Sequence, residues 1–329
     1  MNKSVLLTGG AGYIGSHVAK ELHKNGYTPV ILDTNIKDKP WCDSFGPAFD
    51  CLLPKEIIFL KDIVHRYNID SCIHLAADAK VGESVVNPSK YYMNNVTMTL
   101  SLINNLKDIG VNKFVFSSSA AVYGTLTDTT ANENDIPMPI NAYGKSKYFV
   151  EEILKDYSVA YNFKSISLRY FNVSGINGDL DVNDVKNDTE HLIPIVIHSA
   201  RNSKEFTLYG TDFNTPDGTC VRDYVHINDV AEAHVLALQS LDKDYVCEQY
   251  NIGSGVGTSN LEIVKKIERY YGPMKILKTD KRPGDPAVLV ANIDKVKADL
   301  NWKPTHSSVD NIIGSVIQWY NNINKKDLN

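Results

Sequence analysis

Tyr143 stands four residues before Lys147 in "NAYGKSKYF" (141–149), and a run of serines in "FSSSAAVYG" ends at Ser119 a short way upstream. On a helix, side chains at i and i+4 lie one above the other on the same face. A phenol so placed could take a proton from an alcohol, but its ordinary pKa of about 10 makes it a weak base near neutrality. A cation held close favours the phenolate and lowers that value. A serine hydroxyl nearby could hydrogen-bond the same substrate oxygen. Any helix can carry Tyr and Lys at this spacing by coincidence, so the rest of the chain must decide.

The decision begins at "TGGAGYIGSHVAKEL" (8–22), directly after a short apolar strand. Gly9, Gly12 and Gly15 form a GxxGxxG turn followed at once by helix-forming residues. Such glycines permit a tight turn and close approach of the backbone to a pyrophosphate resting on the helix N-terminus. The second strand ends in Asp33, 18 positions after Gly15. A carboxylate there accepts hydrogen bonds from an adenosine ribose and repels a 2′-phosphate, which favours NAD(H) over NADP(H). A third strand is expected to end near the adenine in an acidic residue, with Asp50 and Asp62 available. Asp62 lies in "KEIIFLKDIVHRY", whose apolar residues recur at helical spacing, so Asp50 takes that place. The positive nicotinamide ring would join Lys147 in favouring a phenolate at Tyr143.

These groups need a scaffold. Strands are predicted at 4–8, 28–33, 71–77, 113–119 and 164–172, with amphipathic helices near 14–25, 55–67, 90–108 and 144–161. Apolar strands alternating with helices imply an α/β, doubly wound (Rossmann-type) parallel sheet covered on both faces. Ligands bind beyond the carboxyl ends of such strands, which puts Ser119 near the dinucleotide. After Asn172 the pattern loosens, and 175–190 reads as a loop. We expect an NAD-binding domain over 1–172, with 220–252 returning to it. A smaller mixed α/β C-terminal lobe over 173–329 would bind the substrate.

Composition excludes several classes. Among 329 residues, 34 basic and 39 acidic side chains give a net charge of −5, with no basic stripe for nucleic acid. The five cysteines (Cys42, Cys51, Cys72, Cys220 and Cys247) show no CxxC spacing, which fits reduced thiols in a cytoplasmic protein and no metal site. "SVLLT" runs straight into the glycine turn, so neither a signal peptide nor a membrane span of ~20 apolar residues is expected.

With "HLAADAKVGESV", "YYMNNVTMTL", "FSSSAAVYG", "YGKSK", "LRYFNVSG", "DGTCVRDYVHINDVAEAH", "YNIGSGVGTS" and "RPGD", the chain resembles the extended short-chain dehydrogenase/reductase family. Within it, "LRYFNVSG" and "DGTCVRDYVH" resemble the UDP-galactose 4-epimerases, nearly end to end. The resemblance implies catalytic roles for Ser119, Tyr143 and Lys147. It implies NAD contacts from Tyr13, Ile14, Asp33, Asn35, Leu75, Ala76, Ala77, Asn94, Ser117, Tyr143, Lys147 and Phe171, beside the turn glycines. It implies that Ser119, Tyr143, Asn172, Leu192, Thr207, Tyr209, Arg222, Arg282, Asp285 and Leu289 hold a UDP-sugar.

Some of these can be weighed separately. The planar fork of arginine grips phosphate well, so Arg222 and Arg282 suit a diphosphate, although an Arg beside an Asp is often only a surface ion pair. Tyr209 could be a uracil contact or a packed aromatic. Relatives that dehydrate their sugar carry Asp-Glu after the strand serine or threonine, where this chain has Ala120 and Ala121. Those that oxidise a sugar to its acid need a nucleophilic cysteine, and the motifs above are read as holding none. The expected reaction is interconversion of UDP-galactose and UDP-glucose through a transient 4-keto sugar with bound NAD. Leu289 stands where the family varies bulk beside the C2 substituent, which leaves UDP-N-acetylglucosamine, pentose and uronate sugars open. A non-catalytic NAD-binding sensor is the contrasting reading. Lys80 is one place displaced from a family lysine and receives no cofactor role. The helices at 90–108 and 144–161 are apolar over a wide arc, as in the homodimers of many relatives, but could equally be buried on their own sheet.

Overall fold

In the first strand, β1 (Ser4–Thr8), Val5 and Leu7 point to one side and Leu6 to the other, and all three are fully buried. A parallel strand covered on both faces requires that pattern. β2 (Thr28–Asp33), β3 (Ala48–Asp50), β4 (Ile69–His74) and β5 (Lys113–Ser119) extend the sheet. The computed structural model describes residues 3–37, 39–50, 57–126, 130–177, 191–242, 247–282 and 285–326. Seven strands run side by side in the order β3, β2, β1, β4, β5, Lys164–Tyr170, Cys247–Ile252, every pair parallel. The order reverses at β1, so the crevice above β1 and β4 is the switch point where such sheets bind ligands.

The two faces carry separate cores. Val5, Leu7, Ile31, Ile73 and Val115 pack with helix α1 (Tyr13–Lys24) and helix Ile227–Ser240. On the other face, Leu6, Val30, Cys72 and Phe114 pack with helices Ile57–Tyr67, Met98–Ile109 and Ala142–Tyr161. A third apolar cluster, containing Ile193, Ile197, Ile263, Ile313 and Trp319, joins helices Leu192–Arg201, Asn260–Tyr271 and Val309–Lys326. Strand Val221–His226 leads a smaller mixed sheet that also contains Gly257–Ser259 and Val288–Ala291.

The elements depart most from expectation at three places. β4 stops at His74 instead of running to 77. Leu75 N–H still donates to the Thr8 carbonyl at 3.0 Å, but the Asp78 amide and carbonyl are then taken by the Asn95 side chain, both at 2.9 Å. The strand expected over 164–172 ends at Tyr170, and Asn172–Ser174 pairs instead with Val221–His226. The helix expected over 90–108 is divided, with a widened turn of i→i+5 character at Tyr92–Thr97 between Pro88–Tyr91 and Met98–Ile109. Widened turns concentrate at functional sites, and this one carries Asn94 and Asn95. Residues 178–190 of the expected loop, residues 55–56 of the second helix and Cys51 lie outside the described residues. Among the described residues, no helix is long and apolar enough to cross a membrane, and no His, Cys, Asp or Glu cluster could hold a metal ion.

Candidate active site

A cavity of about 380 Å³ opens at the switch point, lined by Gly9, Gly12, Asp33, Leu75, Ala76, Ala77 and Asn94. Gly12 precedes the first turn of α1, and no side chain caps that turn, so its amides remain available for an anion. A Cβ on Gly15 would lie 2.1 Å from the Gly9 carbonyl oxygen, so only glycine lets the helix start this close to the turn. The Asp33 carboxylate accepts from Ala11 N–H and from Asn35 N–H, both at 3.0 Å. It therefore braces the turn while keeping lone pairs for a ribose. Asn35 contributes this backbone bond. Asp50 sits beside Asp33 in register but is exposed and does not line the cavity. The Asn94 amide donates to the Asp78 carboxylate. A tight turn, a helix N-terminus and a carboxylate at the second strand end fit a dinucleotide.

A second cavity of about 330 Å³ brings together Tyr13, Ile14, Ser119, Tyr143, Phe171, Asn172, Arg222, Asp285 and Leu289. Asn141 caps the Ala142–Tyr161 helix, its Oδ1 accepting from Gly144 N–H at 2.8 Å, which fixes Tyr143 in the first turn. Ser119 ends β5, its Oγ accepting from Ala121 N–H at 3.1 Å. The Ser119 and Tyr143 side chains line this cavity together. Lys147 is buried on the same helix face, and its Nζ donates to the Ser117 carbonyl at 2.7 Å.

The chain's own groups set the electrostatics on which a bound dinucleotide would act. Lys147 Nζ lies 5.9 Å from the Tyr143 ring centre and spends its short hydrogen bond on Ser117. Burial pushes the Tyr143 phenol up, with Ser119 pulling it back. Burial pushes Lys147 down to about 7, against the opposing pull of Glu151. Within the chain itself, burial is the first influence on both groups.

Towards the outer end, Asp285 draws two guanidinium groups together: Arg222 Nη2 is 3.7 Å from Oδ1 and Arg282 Nε is 3.8 Å from Oδ2. Arg282 also lies over the exposed Tyr209 ring at 4.5 Å. Leu289 faces Arg222 across a parallel strand pair. The Asn172 amide donates to the Asp223 carbonyl at 3.1 Å. Leu192, Thr207, Tyr209 and Arg282 do not line the cavity. Leu192 packs on the third core at the start of its helix, next to the cavity-lining His191. Thr207 sits in strand Phe206–Tyr209 opposite Leu277.

Several supporting residues were not singled out from the sequence. Glu151 and Arg169 are both buried and pair Nη2 to Oε2 at 2.6 Å and Nε to Oε1 at 3.0 Å. Ser118 donates to the same carboxylate, tying β5 to the Tyr143 helix. The available signal was spacing, because Glu151 follows Lys147 by four residues as Lys147 follows Tyr143. Asp223, a charge inside a strand, accepts from Ser254 N–H at 2.6 Å, Gly255 N–H at 2.9 Å and Ala291 N–H at 3.1 Å. His74 bridges Thr8 at 2.6 Å and Thr99 at 2.8 Å, and burial holds it neutral, with its pKa near 3. Cys220 does lie inside "DGTCVRDYVH", contrary to the sequence reading. It is buried and its thiol is pushed up, chiefly by burial, which disfavours the thiolate a nucleophile needs.

A doubly wound sheet with a dinucleotide cradle at its switch point, and a Ser–Tyr–Lys group beside it, defines a short-chain dehydrogenase/reductase. The sequence profile of the NAD dependent epimerase/dehydratase family matches residues 5–253, and the chain belongs to that family. It is 37% identical over 321 residues to the UDP-glucose 4-epimerase of Lacticaseibacillus casei, covering 97% of each chain. The crystal structure of UDP-glucose 4-epimerase from Brucella ovis in complex with NAD superposes with a TM-score of 0.88 at 38% identity, over 95% of this chain and 97% of that one. The Bifidobacterium longum UDP-glucose 4-epimerase, solved with NAD+ and UDP, gives 0.87 at 36% identity, over 97% and 98%.

Proposed function

We propose that this chain is an NAD-dependent isomerase that interconverts UDP-galactose and UDP-glucose. The observation that carries the reading is one cavity lined by Ser119 and Tyr143 and also by the Arg222–Asp285 pair. The likeness to UDP-glucose 4-epimerases over nearly the whole chain supports the same reading.

NAD, when bound, supplies the hydride acceptor and donor that make oxidation at C4 reversible, and its ring charge favours the Tyr143 phenolate. Gly9, Gly12, Asp33 and the first turn of α1 would hold it. Tyr143 takes the C4 hydroxyl proton and gives it back to the opposite configuration, while Ser119 orients that oxygen. Lys147 fixes its helix to β5 through Ser117 and places a titratable amine behind the phenol. Arg222, with Arg282 at the rim, would neutralise the diphosphate, and Asn172 would hold the sugar end. Ala120, Ala121 and Ile140 offer no directional contacts, which supports a 4-keto sugar turning over while its nucleotide stays anchored. Ala120 and Ala121 cannot move protons, so the dehydration route lacks its acid and base.

The nucleotide-sugar lobe would be 173–329 without 220–252. The partner would be a second copy of the chain in the cytoplasm, meeting through helices on which Met93, Phe149 and Val159 are exposed. Incubating the purified protein with UDP-galactose should yield UDP-glucose without net NADH. A parallel arm with UDP-N-acetylgalactosamine reads what Leu289 permits. Absence of conversion with UDP-galactose in protein that holds NAD would refute the reading.

A further inference from the structure

The helix that starts at the dinucleotide turn also reaches the substrate lobe. Tyr13 packs against the third apolar core, lines the second cavity, and donates its hydroxyl to the Gly175 carbonyl at 2.5 Å. One turn further along, His17 is buried, and its Nδ1 lies 2.8 Å from the Tyr13 carbonyl. A carbonyl accepts only, so Nδ1 carries the proton and Nε2 is left as an acceptor. Asn177 N–H donates to that Nε2 at 3.3 Å. Burial favours the neutral ring by pushing its pKa down to about 4.

The segment held this way, Gly175–Ile176–Asn177, directly follows strand Asn172–Ser174, which carries the cavity residues Asn172 and Val173. Gly175 has φ +94°, and a Cβ there would fall 2.4 Å from the His226 ring, so the chain is threaded against that imidazole. Ile176 N–H donates to Ser315 Oγ at 3.0 Å, and the Ile176 side chain is part of the lobe core. Three successive residues are therefore fixed from three elements: α1, strand Val221–His226 and the C-terminal helix Val309–Lys326.

We propose that His17 is a positioning residue for the nucleotide-sugar subsite: by holding the Asn177 amide, it fixes where the chain leaves the Asn172 wall of the cavity. This rests on the proposed UDP-sugar reaction, and it assigns His17 an effect on substrate binding and none on the chemistry. The Ser119–Tyr143–Lys147 group lies on β5 and the capped helix, neither of which His17 touches.

The test compares His17→Ala, His17→Gln and His17→Met in the NAD-loaded protein. Loss of one buried acceptor should raise KM for UDP-galactose roughly 10-fold in His17→Ala and His17→Met, with kcat within about 2-fold. Glutamine can accept from Asn177 and donate to Tyr13, so His17→Gln should stay close to wild type. Hydrogen exchange at the Asn177 amide should quicken by about the same factor in the alanine and methionine variants. If His17→Ala does not fold, the glutamine–methionine pair carries the comparison. An unchanged KM, a fall in kcat alone, or unchanged exchange at Asn177 would each overturn the proposal. The exchange measurement needs no turnover, and wild-type conversion of UDP-galactose is its own control. Failure of the latch and failure of the functional reading are therefore seen separately.

Discussion

Replacing Tyr143 by phenylalanine is expected to lower kcat by roughly 10²- to 10⁴-fold, the range for loss of a positioned acid–base group. The substitution removes one oxygen and keeps the ring, which packs edge-on to the buried Tyr91 ring at 6.4 Å. Helix capping by Asn141 and the Lys147–Ser117 bond do not depend on the phenol, so the fold and the NAD cradle should persist. KM should change by no more than about 3-fold, because the interaction lost is one made in the transition state. Stopped-time product analysis together with the NAD content of the purified variant checks both halves. Turnover within about 10-fold of wild type would mean that another group moves the proton. A sensor that merely binds NAD would show no difference at all.

The second large effect is on stability. Glu151→Ala should lower the unfolding free energy by about 3–5 kcal/mol, because it leaves the buried Arg169 guanidinium without its carboxylate. Both side chains are essentially inaccessible to water, so solvent cannot take over. Ser118 loses its acceptor as well, and Arg169 keeps only its 2.9 Å bond to Tyr123 Oη and a longer one to the Glu133 carbonyl. The surviving charge is the source of the loss, so replacing both partners by methionine should recover most of it. Urea unfolding of the two variants reads the difference as a change in midpoint at constant slope. A cost below about 1 kcal/mol for Glu151→Ala would show that the pair is solvated in solution.

How much of this could be read before the structure depends on whether a residue's partner is near in sequence. Tyr143 and Lys147 were legible because a helix makes four-residue spacing into contact, and Gly9, Gly12 and Asp33 because strand–turn–helix units repeat a fixed geometry. Asp62 could be set aside from its helical spacing alone, and it lies in helix Ile57–Tyr67. The Lys147–Ser117 bond spans 30 residues, and although Glu151 shares the four-residue spacing of Tyr143 and Lys147, its partner Arg169 lies on the next strand, so neither pairing shows in the local pattern. The boundaries at His74 and Tyr170 failed for a related reason. Both runs stay apolar past the point where the ladder ends, and side chains from other elements, such as Asn95, decide where the chain turns away. Sequence shows charge but not burial, and burial is the first cause of the Tyr143 shift in the chain itself.

The most direct test of the central claim follows the hydrogen at C4. UDP-galactose carrying deuterium at C4 should give UDP-glucose with the label still at C4, because oxidation and reduction occur within one closed site while Tyr143 exchanges only the hydroxyl proton. Label lost to water would mean that the C4 hydrogen leaves as a proton, and the Ser119–Tyr143 chemistry described here would be wrong.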